Sequence, residues 1–442
     1  RKHLRWRDGR CALCICYPQK KRDMDHSESD QRLNKRIAII GAGAAGLSAA
    51  HALKAKGYSN ITVFERSNRV GGKCCTVEIE GKNYELGAGV LAEDNSIVLR
   101  LAEEFNIPLA PIQFDNDVTV DGLSGIAEPK RNIFESAKLL KELAKYCWLT
   151  QKYRATGKSG LANTPHALAA PFTEFAKKHK IENLAREFAL FFTGFGYDYF
   201  ERIPAAYVLK YYRWSTLLAF MQRKVYRLPN GIQHLWTAVA AAHTVRLNTA
   251  ISHIERSETS VSVTTERGTE EFDTLIIASP LDETLSYIDS TDDERNLFSK
   301  IQYVDYVTIA CTIEGILDGD GYVPSNFTPH RAGHPVFWHH RHADARVYTF
   351  YALADGSQTD TDLTDHMTDL VKKMGGVVST IHSITHWKYF PHISSEIMKD
   401  GFFDRIESIQ GTKNTFYVGE SLNFSTVGLA SEHANDLVNR LF

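Results

Sequence analysis

The chain has no run of 18 consecutive apolar residues, so no segment reads as a transmembrane helix. It also has little excess charge. Fifty-one Lys and Arg stand against 53 Asp and Glu, a net −2, and that balance gives no broad electrostatic case for a nucleic-acid partner. The seven cysteines are unevenly spaced and make no disulfide framework. A reducing, cytoplasmic setting is the expectation from that pattern. No internal repeat or low-complexity segment appears. What is present is ample core material: 442 residues, 43% hydrophobic and 11% aromatic, enough for two domains.

Residues 1–34 differ from the rest. Eight of the first 22 are Lys or Arg, Cys11, Cys14 and Cys16 cluster, and neither helical nor strand periodicity is visible. A zinc site would need a fourth ligand at sensible spacing, and His3 and His26 are poor candidates. The stretch reads as a disordered or artefactual extension, with Met24 opening an ordinary polar start.

The most informative stretch is 37–65, IAIIGAGAAGLSAAHALKAKGYSNITVFE. Residues 37–40 are a buried strand, 44–56 an Ala-rich helix without proline, and 61–64 a second strand ending on Glu65. Gly41, Gly43 and Gly46 form G-x-G-x-x-G between strand and helix. Gly41 permits the tight turn, Gly43 lets a pyrophosphate approach the backbone, and Gly46 lets helix and strand pack closely. The helix N-terminus then presents free N–H groups and a positive dipole end to the phosphates. Glu65 is placed to accept ribose hydroxyls and to repel a 2′-phosphate. A bare G-x-G-x-x-G is a weak signal; the strand–helix context and the acid that follows make it a dinucleotide clamp.

Three further elements narrow the dinucleotide. Arg66 is followed by Arg69-Val70-Gly71-Gly72-Lys73, whose glycine pair lets main chain lie against the cofactor. Tyr84-Glu85-Leu86-Gly87-Ala88-Gly89 is a small-residue turn on which a flat ring could rest. Asn414-Thr415-Phe416-Tyr417-Val418-Gly419-Glu420 is a strand closing on Gly-Glu before a C-terminal helix. This order resembles the flavin-containing amine oxidase superfamily from residue 35 onward. The resemblance implies FAD held by Gly41, Gly43, Ala45, Gly46, Glu65, Arg66, Gly72, Lys73, Ala88, Gly89, Val90, Ile251, Gly419 and Glu420. The glycine–cysteine motif for covalent flavin attachment is replaced by Ser421-Leu422-Asn423-Phe424, so the FAD is expected to be non-covalent.

Residues 132–153, 172–192 and 204–222 have the i, i+3/i+4 apolar spacing of helices, the last with Pro204 at its start. Residues 245–247, 251–255, 260–265 and 271–278 read as strands, with Arg267-Gly268 at a hairpin, and 301–313, 336–340 and 346–352 as strands of another sheet. The expected fold is α/β: a Rossmann-like FAD domain from 35–112, 228–300 and 400–442, interleaved with an α+β substrate domain. The latter consists of an aromatic-rich helical region, 113–227, and a sheet with its connection, 301–399.

Residues 191–220 carry eleven aromatic rings. Such rings usually build core, but this density also suits a long apolar tunnel. The strings around Phe192–Tyr197, Ile203–Tyr211, Trp387–Glu396 and 414–420 resemble the polyenoic fatty acid isomerase (linoleate isomerase) branch of the superfamily. That resemblance implies transfer of a hydride from a bis-allylic carbon to the flavin N5 and its return at another carbon, giving a conjugated diene. The alternative is an FAD-dependent oxidoreductase of amine oxidase or desaturase type. Phe195, Tyr197, Phe220 and Tyr389 are the expected substrate-channel residues. A fatty acid or similar lipid is the expected substrate, with at most peripheral membrane contact.

Hydride chemistry needs positioning and water exclusion rather than a general base, and no base with an obvious partner is evident. The family's tunnel-mouth arginine has no counterpart in Gln113-Phe114-Asp115-Asn116-Asp117, which leaves Arg213, Arg223 and Arg227 as the cations nearest in sequence to Phe220. His339-His340-Arg341-His342 reads as a surface hairpin, because only His340 and His342 could share a ligand sphere, and no metal is expected. Cys74 and Cys75 read as small apolar filler near the FAD.

Overall fold

The strand Ile37–Ile40 is buried along its whole length and sits at the centre of a parallel sheet. The sheet order is Thr244–Arg246, Ile61–Phe64, Ile37–Ile40, Thr274–Ile277, Thr415–Tyr417. Strands buried on both faces read as continuous apolar runs, as IAII and TLII do. Ile37 and Ile39 pack towards Leu47, Leu53, Leu437 and Val438 of the helices Ala44–Ala55 and Val427–Leu441. Ala38 and Ile40 point the other way, into the larger core shared with the aromatic helices. The chain therefore returns to one sheet from distant positions in sequence, ending with the C-terminal helix against the first glycine-bearing helix. The computed structural model describes residues 33–112, 118–121, 125–127, 133–316 and 319–442. The zinc-like cysteines, residues 1–32 and the acidic segment 113–117 lie outside these.

A second sheet has seven strands: Val377–His392, Gln302–Glu314, Val347–Ala354, Pro335–His339, Gly321–Tyr322, Val118–Asp121, Gly125–Ala127. Its register decides which face each ring occupies. Tyr306 lies opposite Trp387 and Leu353, Tyr389 opposite Val304, and Tyr351 opposite Thr308 and Phe337. Residues directly opposite share a face, so these rings line one side. Val307, Ile309 and Cys311 line the other, under Leu363, Met367 and Val371 of the helix Asp360–Lys373.

Three expected elements are broken. Residues 172–192 form two helices, Phe172–His179 and Glu182–Phe192. Lys180 adopts a left-handed conformation at φ 53, and Ile181 N donates back to Ala176 O at 3.0 Å, which closes the first helix. Apolar periodicity does not register a stop of two residues, Lys180 and Ile181, between helices. Residues 204–222 likewise divide into Ala205–Tyr211 and Trp214–Met221. Arg213 is extended there, tied to Asp94 and Glu432, each at 2.9 Å. The expected strand 271–278 is split between two sheets at Asp273, whose carboxylate takes the Arg36 N–H at 2.7 Å.

Candidate active site

The glycine turn is close-packed where the sequence demands it and open where a cofactor must lie. A Cβ on Gly46 would stand 1.9 Å from Gly41 O, so no larger residue fits beneath the turn. Gly41 itself is at φ 105. Gly43, by contrast, faces Gly72 across a gap, its added Cβ no nearer than 3.9 Å to the Gly72 Cα. Glu65 is held by three donors. Ala42 N donates to Oε2 at 2.9 Å, and Ser67 N and Oγ donate to Oε1 at 2.9 and 2.7 Å. The acid is thereby fixed against the turn it serves.

The remaining positions expected at the cofactor converge from both ends of the chain. Lys73 donates to Glu420, and its ammonium lies 5.8 Å from the centre of the Tyr389 ring. Gly419, at φ 112, approaches Ala45 so closely that an added Cβ would meet the Ala45 Cβ at 3.2 Å. Gly87 and Gly89 are sterically obligatory: a Cβ would stand 1.9 Å from Lys73 O at the first and 2.8 Å from Glu85 Cγ at the second. Arg66 extends outward to Glu283 at 2.9 Å. Ile251 begins the strand Ile251–Arg256 and packs against the larger core. Cys74 and Cys75 are free and buried, and burial pushes both thiols up, so neither is a ready nucleophile.

Lys73, Ala88, Gly89 and Val90 open onto a cavity of about 490 Å³. The sheet supplies Tyr306, Phe337, Tyr351, Trp387 and Tyr389, and the helical region supplies Phe191, Phe195, Tyr197, Tyr211 and Phe220. Phe195, Tyr197, Phe220 and Tyr389 are thus brought together, although they come from three separate elements. The rings form a continuous stack: Tyr197 on Tyr389 at 5.6 Å, Tyr389 on Tyr306 at 5.2 Å, Tyr306 on Tyr351 at 5.6 Å and Tyr351 on Phe337 at 5.3 Å. Burial raises the hydroxyl pKa of Tyr197, Tyr306 and Tyr389 well above its usual value, so these rings stay neutral.

One stretch of the wall is polar: Arg227, Asp320, His339, His340 and Arg341. The segment expected as a surface hairpin is therefore part of the site, with His340 and Arg341 both buried. His339 Nδ1 pairs with Asp320 Oδ1 at 2.7 Å, which also takes the His340 N–H at 2.8 Å. An acid–base pair does stand in this wall. Sequence reasoning missed it because Asp320 belongs to a loop with no pattern of its own. Among the described residues no three His, Cys, Asp or Glu side chains are grouped to hold a metal ion. Arg341 donates from Nη2 to Leu228 O at 2.7 Å and lies 3.6 Å from Glu85, while its Nε finds no partner. Burial pushes the Glu85 carboxyl up, against the pull of Arg341. Arg227 donates to Arg341 O at 2.8 Å and has no carboxylate within ion-pair distance among the described residues. Of the other two arginines, Arg213 is committed to Asp94 and Glu432, and Arg223 does not reach the cavity wall.

Residues 44–421 match the family described as flavin containing amine oxidoreductase. Among solved structures, the CLA-producing fatty acid isomerase from P. acnes superposes with a TM-score of 0.87 at 32% identity, covering 93% of this chain and 99% of that one. A putrescine oxidase matches with a TM-score of 0.73 at 16% identity over 92% of this chain and 98% of that one, a likeness of fold alone. Among curated relatives, the beta-cyclopiazonate dehydrogenase of Aspergillus flavus is 27% identical over 88% of both chains.

Proposed function

Because the chain belongs to the flavin-containing amine oxidoreductase family and so uses FAD, we propose that it is a double-bond isomerase acting on a polyunsaturated fatty acid and holding its FAD without a covalent link. Bound FAD supplies hydride acceptance and return, so the substrate is rearranged to a conjugated diene with no net oxidation. The observation that carries the reading is the ring-lined cavity opening directly on Lys73, Ala88 and Gly89. Its stacked tyrosines offer neutral π faces to a chain that becomes cationic when it loses a hydride. Their bulk keeps water from that carbon. The likeness to the P. acnes fatty acid isomerase supports the same reading.

Arg227 and Arg341 are the groups to meet an acyl carboxylate. Both line the cavity, and the unpartnered Arg341 Nε is a donor awaiting an acceptor. In this reading they would do the work of the arginine that the sequence 113–117 lacks.

The relative that is a dehydrogenase favours a second reading, net oxidation of a lipid-like substrate with an external acceptor. Anaerobic incubation of the yellow holoprotein with linoleate separates the two. A rise in diene absorbance without lasting flavin bleaching is the expected result. Stoichiometric bleaching, or product only with oxygen or a quinone, would establish the oxidoreductase.

A further inference from the structure

Large apolar side chains exposed to solvent are unevenly placed. Six of the eleven among the described residues, Ile133, Phe134, Leu140, Trp148, Trp214 and Met221, lie on two helices, Ile133–Lys152 and Trp214–Met221, which pack against each other. Leu140 and Trp148 remain 65% and 61% exposed, and Met221 63%. On the longer helix, Ile133, Ala137, Leu140, Ala144 and Trp148 follow the three- and four-residue spacing of one face. The opposite face buries Tyr146, Leu149 and Thr150. The apolar stripe is bordered along one side by Lys138, Lys141, Lys145 and Lys152, whereas the acids of this helix are Glu135 and the buried Glu142, which is taken up by Asn183 and Leu184 N. Lys152 lies over the Trp148 ring at 5.4 Å.

We infer that these two helices dock on an anionic lipid surface, from which acyl substrate enters the cavity. An apolar stripe with tryptophan and flanking lysines is the pattern of a helix lying in a membrane interface. The inner side of the shorter helix is cavity wall, through Thr216 and Phe220, while its outer side presents Trp214 and Met221. A lipid on the outside would therefore be one helix thickness from the site that is to receive it. The entry route rests on the isomerase reading above; the docking itself does not. The lysine border disfavours a second copy of the same face as occupant, since it adds like charge to both partners.

Co-sedimentation of the holoprotein with vesicles tests this. The protein should pellet with phosphatidylcholine vesicles containing phosphatidylglycerol, less with phosphatidylcholine alone, and less again at high salt. The double variant L140E/W148E, altered only at exposed positions, should lose vesicle binding at least about tenfold. Its FAD content and its turnover of detergent-dispersed linoleate should stay unchanged. Failure of the parent to pellet with anionic vesicles, or equal binding by the variant, overturns the proposal. So does a parent dimer by light scattering that the variant converts to monomer without a change in vesicle binding. Binding by a protein that turns over no fatty acid upholds the surface and removes the isomerase reading.

Discussion

Lys73 donates a hydrogen bond to Glu420 across 347 residues of sequence, at the edge of the cavity where the two ends of the chain meet. Both side chains are about a quarter exposed. The pair fastens the glycine-pair turn to the C-terminal Gly-Glu turn, the two segments expected to enclose the FAD. Lys73→Met should leave Glu420 as an uncompensated carboxylate beside the cofactor. We expect a purified variant with FAD occupancy well below the parent and a Kd raised about tenfold, a loss of about 1.4 kcal/mol, read by flavin-to-protein absorbance after dialysis. Glu420→Gln, which keeps an acceptor, should retain more flavin.

Glu65 orders the turn through Ala42 N and Ser67 N and is the residue expected to meet the ribose. Hydrogen bonds to a charged acceptor are worth roughly 1.5–3 kcal/mol each. Glu65→Ala should therefore lose FAD on gel filtration, and adding free FAD in excess should restore its colour. Full FAD retention by that variant would mean that the ribose is held elsewhere. Acid precipitation of the parent should release its flavin to the supernatant; colour fixed to the pellet would contradict non-covalent binding.

A buried network closes the far side of the parallel sheet. Arg256, with no side-chain exposure, bonds Glu294 through Nη1 and Nη2 at 2.7 and 2.8 Å, and the Tyr417 hydroxyl also donates to Glu294. Burial pushes the Glu294 carboxyl up, but the bonds from Arg256, Tyr417 and Thr291 N outweigh it and hold the group at about 2, below its ordinary 4.5. A carboxyl lowered on folding stabilises the fold above its unfolded value, and that contribution disappears as pH falls through its folded one. Thermal stability should drop between pH 4.5 and 2. Glu294→Gln removes one of the two carboxylates on Arg256 and leaves Asp289 Oδ1 on its Nε at 2.6 Å, so it should cost less than the about 3–5 kcal/mol of a fully stranded buried charge at neutral pH, while flattening part of that acid dependence. An unchanged melting temperature at pH 7 would show that the network contributes little.

Phe220 is half-buried and touches Phe191 at 5.7 Å between ring centres. A fully buried Phe→Ala change would cost about 3–5 kcal/mol, and Phe220→Ala should cost less. Its expected effect is on capture: a raised KM or shifted chain-length preference with kcat little altered. A variant that melts early and keeps its selectivity would mark Phe220 as packing only.

The dinucleotide clamp was legible in the sequence because its demands are local. Gly41, Gly43 and Gly46 stand at fixed spacing between one strand and one helix, with Gly46 packed on Gly41 O, and the strands around them are buried on both faces, so they appear as apolar runs that no tertiary contact is needed to interpret. The rings of the cavity were visible as density in 191–220, and Tyr389 through its surrounding string. What remained hidden depended on contacts distant in sequence. Arg213 breaks a helix because Asp94 and Glu432 hold it, and Asp273 divides a strand because the Arg36 N–H requires an acceptor. The basic wall arises because His339 ends its strand beside Asp320, and because Arg227 reaches the Arg341 carbonyl. Charge in sequence is ambiguous between solvent and site. Only packing, which removes water from Arg341 while leaving its Nε without a partner, determines which of the two it is.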